Sequence, residues 1–254
     1  MNHIYNNTFF DYIDHGARSS AQTLISSLME WLEPRSVLDL GCGRGVWLAE
    51  WQAAGAVRVL GVDGSYVDQS QLAVHRDSFM AADLTKPVRT DNRFDLAQSL
   101  EVGEHLPESA AKTLVASLTR ASDRVLFSAA VTGQGGEFHV NEQPLSYWQG
   151  LFALHGYRPF DCVRPAVAHS KDVEPWYRYN TVLYVNDAGR AGLPEAVLDT
   201  VVPEGEDVLN GGDFLWRLRR SVVQHLPRNV VTQIAQARAG VLARAAQRQV
   251  AREA

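Results

Sequence analysis

Largely apolar runs at 37–40, 57–62, 79–81, 94–99, 125–129, 160–163 and 181–185 are bounded by glycine, proline or charged residues. Runs of this length predict strands buried on both faces. Helical spacing separates them. A helix is predicted over 46–54, and another over 144–155 that turns Leu145, Trp148, Leu151 and Phe152 inward. Ser20 to Leu32 also has helical spacing, which Pro34 ends. Strands that alternate with helices predict an α/β fold with a parallel sheet covered on both sides. This core is expected over 34–187, after a helical segment at 1–33 that carries Tyr5, Phe9, Phe10 and Tyr12.

The pattern changes after Asn186. Gly189, Gly192, Pro194, Pro203, Gly205, Gly211 and Gly212 predict a loose connector over 188–212. A helical tail is expected over 213–254, interrupted by Pro227 and carrying arginines at 217, 219, 220, 228, 238, 244, 248 and 252. Such a tail suits a membrane surface, a partner protein or a second copy of the chain. A solvated helix with no partner fits it equally.

One stretch organises the rest. Ser36 to Leu40 is a strand, Gly41, Cys42, Gly43, Arg44 and Gly45 form a turn, and helical spacing resumes at Val46. A dinucleotide fingerprint is G-x-G-x-x-G with a pyrophosphate on the helix N-terminus. Here the spacing is G-x-G-x-G, and Asp39 just before it would repel a pyrophosphate but suit an amino group. About twenty residues on, Asp63 ends the next strand beside Gly64, the distance at which a carboxylate grips ribose hydroxyls. Asp83 and Leu84 follow the third strand, and Ser99 ends the fourth. Three successive acids with glycines between match a ligand with an amine, a ribose and a base but no phosphates: S-adenosylmethionine.

On these residues the chain resembles the class I S-adenosylmethionine-dependent methyltransferases. The resemblance runs from about Ser20 to Val185, through VLDLGCGRG, GVDGS, AADL, FDLAQSLEVGEHLP and HVNEQPLSYWQGLFALHGY. It implies a Rossmann-like seven-stranded sheet whose last strand runs antiparallel between strands five and six, with the C-terminal helices as an extension. It also implies that Asp39, Gly41, Cys42, Gly43, Gly45, Asp63, Gly64, Asp83, Leu84 and Ser99 hold the cofactor. The N-terminal helix would then serve as a lid, or pack on the sheet.

The chemistry-bearing residues follow strand four, in Ser99-Leu100-Glu101-Val102-Gly103-Glu104-His105-Leu106-Pro107. The Asn/Asp-Pro-Pro-Tyr/Phe motif that holds a planar amine is absent, which disfavours methylation of adenine or glutamine nitrogen. On a helical turn Glu101, Glu104 and His105 would share one face, a set suited to magnesium, manganese or iron(II). His139 lies in a glycine-rich loop expected over the same sheet edge. Together Glu101, Glu104, His105 and His139 resemble the metal site of small-RNA 2′-O-methyltransferases and ubiquinone-biosynthesis O-methyltransferases. Members without a metal also carry Glu-His-Leu-Pro here, so a second reading makes His139 or His105 a general base. Trp176 to Asn180 is expected either to line the acceptor pocket or to pack against the last strand.

Composition narrows the function classes. The chain has 254 residues, 46% hydrophobic and 21% charged, an ordinary soluble mixture. A net charge of −5 disfavours nucleic acid as a partner. Two cysteines make no disulfide framework, no signal peptide or membrane span is evident, and a cytoplasmic protein is expected. The combined expectation is O-methyl transfer to a small molecule or glycan precursor. The rivals are a metal-independent carboxyl, N- or C-methyltransferase, an RNA terminal-ribose 2′-O-methyltransferase, and a non-catalytic cofactor-binding partner.

Overall fold

Every residue of Ser36–Leu40, Leu96–Leu100 and Val182–Val185 is buried, so helices must cover both faces of the sheet these strands build. The computed structural model describes the backbone of residues 7–227 and 229–237, with side chains from residue 16. Tyr5, Phe9, Phe10, Tyr12 and the tail beyond 237 lie outside the described side chains. The strands are β1 (Ser36–Leu40), β2 (Arg58–Asp63), β3 (Phe79–Ala81), β4 (Leu96–Leu100), β5 (Arg124–Ser128), β6 (Arg158–Phe160) and β7 (Val182–Val185). Their order is β3-β2-β1-β4-β5-β7-β6. The first five pair in parallel, and β7 runs antiparallel to both β5 and β6.

The helices include α1 (Asn7–Met29), α2 (Val46–Ala53), α3 (Glu108–Ala121), α4 (Leu145–Ala153), α5 (Val163–Val167), α6 (Pro175–Asn180), α7 (Glu195–Leu198) and α8 (Phe214–Val223). On one face Leu24, Leu28, Leu48, Trp51 and Val163 share a core. On the other, Leu114 and Leu118 of α3 join Trp148 and Phe152 of α4 against Phe127 and Tyr184. The described part of the N-terminal helix is thus a packed helix: Ala21, Leu24, Ile25 and Leu28 are all buried. Among the described residues, no helix is long and apolar enough to cross a membrane.

Two expectations differ locally, and a third stretch takes a form the sequence left open. The sixth strand ends at Phe160 rather than continuing to Val163, because Arg164 folds back on Asp161 through two hydrogen bonds of 2.7 and 2.6 Å and the chain turns into α5. The stretch at 176–180 forms α6, with Tyr177 edge-on to Trp47 at 5.1 Å. Residues 188–212 are not loose. They bury Leu193, Val197 and Val208, bridge Val201 to Phe160, and accept Arg164 Nη1 at the Leu209 carbonyl (2.7 Å). Hydrophobic anchors at Leu193, Val197, Val201 and Val208 hold this segment down despite its glycines and prolines.

Candidate active site

The sheet reverses its strand order between β1 and β4, which opens a crevice beyond their carboxyl ends. The glycine turn sits there. Gly41, Gly43 and Gly45 have φ of 92°, 53° and 79°, and a Cβ on Gly41 would lie 2.2 Å from Val102 Cγ2. Only glycine fits. Beneath the turn, Trp51 Nε1 donates to Gln98 Oε1 at 2.8 Å, and Gln98 Nε2 donates to Asp39 Oδ2 at 2.9 Å. An indole is a donor only, so it fixes which end of the amide faces the acid. Burial pushes the Asp39 carboxyl up to about 7, with the Gln98 bond opposing and the Asp63 charge adding to the rise.

Asp63 closes the turn from β2. It accepts Gly43 N–H at 2.7 Å, Gly64 N–H at 2.6 Å and the Tyr66 hydroxyl at 2.5 Å. Ser99 is fully buried and donates to the Leu40 carbonyl at 2.7 Å, tying β4 to β1. Cys42 is buried and its thiol is held well above its usual value, first by burial, which leaves it unreactive. Leu84 is buried in the second core, whereas Asp83 is exposed and accepts Thr85 N–H and Oγ at 3.0 and 2.6 Å. Gln98 and Tyr66 are the two residues here that the sequence pattern missed. Neither carries a motif; only the fold puts them on the acids.

The second half of the site lies past β4. Glu101 adopts a left-handed backbone (φ 56°), a strained conformation for a non-glycine residue. Its carboxylate accepts Gln134 Nε2 at 2.8 Å, and Asn180 Nδ2 donates to Gln134 Oε1 at 2.8 Å. Gly103–His105 forms a 3-10 turn. The loop after β5 docks on it: the Val140 and Asn141 amides donate to the Glu104 carbonyl at 2.9 and 3.0 Å. This brings one donor atom each from Glu104, His105 and His139 within 4.8 Å of one another. The expected set of four therefore converges as three. Glu101 lies beside this trio rather than in it: its charge acts on Glu104 while Gln134 holds its carboxylate, and its left-handed backbone breaks the helical register on which Glu101, Glu104 and His105 would have shared one face.

The charges in this trio are unusual. Among the described residues neither Glu104 oxygen completes a hydrogen bond, although the Glu101 carboxyl and the Glu104 and Ala130 amides lie close enough to act on its charge. Burial and then the Glu101 charge hold the Glu104 carboxyl well above its usual value. Burial, then the charge on His139, pushes His105 down to about 3, so it is a neutral imidazole at neutral pH. His139 and His105 meet edge to face with ring centroids 4.9 Å apart.

His139 Nδ1 lies 2.8 Å from Glu142 Oε1. Glu142 also accepts the Gly133 and Gly135 amides at 2.8 and 2.7 Å. Burial alone would raise its carboxyl, but His139 and the two amides outweigh it and hold the group below its usual value. An ionised carboxylate only accepts, so Nδ1 of the His139 ring is the donor in this pair. The sequence signal for this pair is H-x-x-E at 139–142, a spacing too common to single out without the fold.

A family model described as a methyltransferase domain matches residues 13–155. The malonyl-[acyl-carrier protein] O-methyltransferase of Pseudescherichia vulneris is 40% identical over 83 residues, which cover 32% of this chain and 33% of that protein. The ubiquinone biosynthesis O-methyltransferase of Alkalilimnicola ehrlichii is 29% identical over 140 residues, covering 52% of this chain and 51% of that protein. The chain thus spans a third to a half of the length of the curated relatives it matches. Among solved structures, magnesium protoporphyrin IX methyltransferase from Synechocystis PCC 6803 with bound SAH aligns with a TM-score of 0.51 at 17% identity, over 73% of this chain and 98% of that one. Streptomyces venezuelae DesVI aligns with a TM-score of 0.52 at 12% identity, over 70% and 95%. Both share the fold.

Proposed function

We propose, for a chain that belongs to the methyltransferase-domain family, that it is an S-adenosylmethionine-dependent methyltransferase whose acceptor is a hydroxyl on a small molecule or glycan precursor. The observation that carries this is the His139–Glu142 pair, 2.8 Å apart beside the crevice. Methyl transfer from a sulfonium is an in-line displacement: the acceptor oxygen bonds to the methyl carbon as the carbon–sulfur bond breaks. A hydroxyl needs to lose its proton as it attacks, and in this reading His139 takes it through Nε2, the ring nitrogen that Glu142 does not hold. Glu142 stabilises the imidazolium that forms. His105, held neutral, packs against the base and orients it. Asp39, Asp63 and the glycine turn hold the cofactor, with Gly41, Cys42, Gly43, Gly45, Gly64, Leu84 and Ser99 shaping the cleft and Asp83 at its rim. The names of the two curated relatives, both O-methyltransferases, support the choice of oxygen.

The trio supports a second reading. One carboxylate and two imidazoles are a ligand set for a divalent ion such as iron or manganese, and the buried oxygens of Glu104 lack hydrogen-bond partners. These residues fit an ion. Glu104, His105 and His139 would hold it, and it would lower the pKa of a bound hydroxyl. Incubation with S-adenosylmethionine and a panel of phenols, catechols and sugars, with and without EDTA, tests both readings through the S-adenosylhomocysteine released. Turnover that survives EDTA but is lost in His139→Ala supports the base; turnover abolished by EDTA and restored by a divalent ion supports the ion. Methylation confined to amines, carboxylates or carbon would overturn the hydroxyl acceptor.

A further inference from the structure

The loop that presents His139 is held from two sides, and one of them is the C-terminal tail. On the inner side its amides bond to the Glu104 carbonyl. On the outer side α8 lies across it. Arg219 Nη1 donates to the Gln134 carbonyl at 2.6 Å, and Arg220 donates to the Thr132 carbonyl through Nη2 (2.9 Å) and Nε (3.1 Å). The two acceptors flank Gly133, which has φ of 79°. A Cβ there would sit 2.5 Å from the Arg220 carbonyl oxygen, and one on Gly135 would sit 2.9 Å from both Val223 and Val231. Two glycines thus let the tail approach the bare backbone of the loop, and two arginines fasten it.

These same loop residues set the His139–Glu142 pair. Glu142 is fixed by the amides of Gly133 and Gly135, the positions the tail presses on. Gln134, whose carbonyl Arg219 holds, reaches Glu101 with its side chain. Between the loop and the tail lies a cavity of about 190 Å³. His139, Val140 and Glu142 line one side, and Val223, Leu226 and Val231 the other.

We propose that α8 is a wall of the acceptor site, with Arg219 and Arg220 as positioning residues that lock the His139–Glu142 pair, and that the cavity takes a short apolar branch of the acceptor. The proposal deepens the reading of His139 as the base and rests on it. Arg219 anchors the segment next to Glu101, and Arg220 the one that carries the Glu142-binding amides. Without them the loop keeps its inner bonds to Glu104 but loses the face that aligns Gly133 and Gly135 with Glu142.

Ring-nitrogen NMR of the full chain labelled with ¹⁵N-histidine, saturated with S-adenosylhomocysteine at one fixed pH, tests this without knowing the acceptor. In the wild type the His139 signals should be those of a single tautomer protonated on Nδ1. The double variant Arg219→Ala/Arg220→Ala should average the two tautomers, while cofactor affinity stays within about threefold. Arg219→Lys/Arg220→Lys should restore the wild-type pattern in part, since an ammonium still donates to a carbonyl. Arg217→Ala, an exposed arginine on the same helix, should leave it intact. Unchanged His139 signals in the alanine double variant would overturn the proposal. That result would leave the base reading untouched, because loss of turnover in His139→Ala tests it separately.

Discussion

Gln98 Nε2 donates to Asp39 Oδ2 at 2.9 Å, and Trp51 allows the amide no other orientation. The acid is thereby aimed into the crevice while burial lifts it to about 7 from 3.8. A carboxyl whose pKa is raised in the folded state binds a proton that the unfolded chain releases. Its contribution to stability is full below about pH 3.8, falls as pH rises, and is gone above about 7. A cationic amine beside Asp39 favours the ionised form, so cofactor affinity should rise with pH up to about 7, with a proton released on binding. Calorimetry in two buffers of different ionisation enthalpy measures that proton. Asp39→Asn should flatten the pH dependence and weaken binding by about 1.5–3 kcal/mol, the value of a hydrogen bond to a charged group. A flat profile in the wild type would count against this role for Asp39.

Asp63 links the cofactor to the fold. Its bonds to Gly43 and Gly64 tie β2 to the glycine turn, and Tyr66 occupies an oxygen that a ribose hydroxyl would use. Asp63→Ala should lower both the melting temperature and S-adenosylhomocysteine affinity, the latter by about 1–3 kcal/mol. Tyr66→Phe removes a competitor for the same oxygen and should leave affinity equal or raise it a few-fold. Equilibrium dialysis reads both, and a large loss in Tyr66→Phe would mean that the phenol contacts the cofactor itself.

The base and the ion make opposite forecasts. As a base, His139→Ala should lose about 10²–10⁴-fold in turnover, and Glu142→Gln a smaller part of that. EDTA should then change nothing. As an ion site, Glu104→Gln should match the loss in His139→Ala, and a divalent ion should raise the melting temperature of the wild type alone.

Gly133→Val should loosen the tail. Its side chain would meet the Arg220 carbonyl, and its backbone would be strained at φ 79°. Limited proteolysis should cut between α7 and α8 faster in this variant. Truncation after Gly212 should leave cofactor binding within a few-fold of the full chain, because the acids and glycines of the cofactor cleft all precede residue 100. Loss of binding in a truncated chain that stays folded would show that the tail reaches the cofactor.

What the sequence determined by itself is local. Buried runs alternating with helical spacing decide a doubly covered parallel sheet, and glycines spaced by one residue next to Asp39 decide the shape of the turn. These follow from backbone sterics and from the short range over which a strand gives way to a helix. The tertiary structure decided whatever depends on residues far apart in the chain. Gln98 reaches Asp39 across 59 positions, and Arg219 reaches Gln134 across 85. Glu101 sits beside the trio rather than on a shared helical face, because the chain leaves strand β4 in a left-handed kink that a count of three and four along a helix cannot foresee. The tail's role stays open in the sequence, since charge along a chain does not reveal which arginines reach another segment. Two of them do, and the bare backbone at Gly133 and Gly135 is what lets the helix that carries them close against the His139 loop.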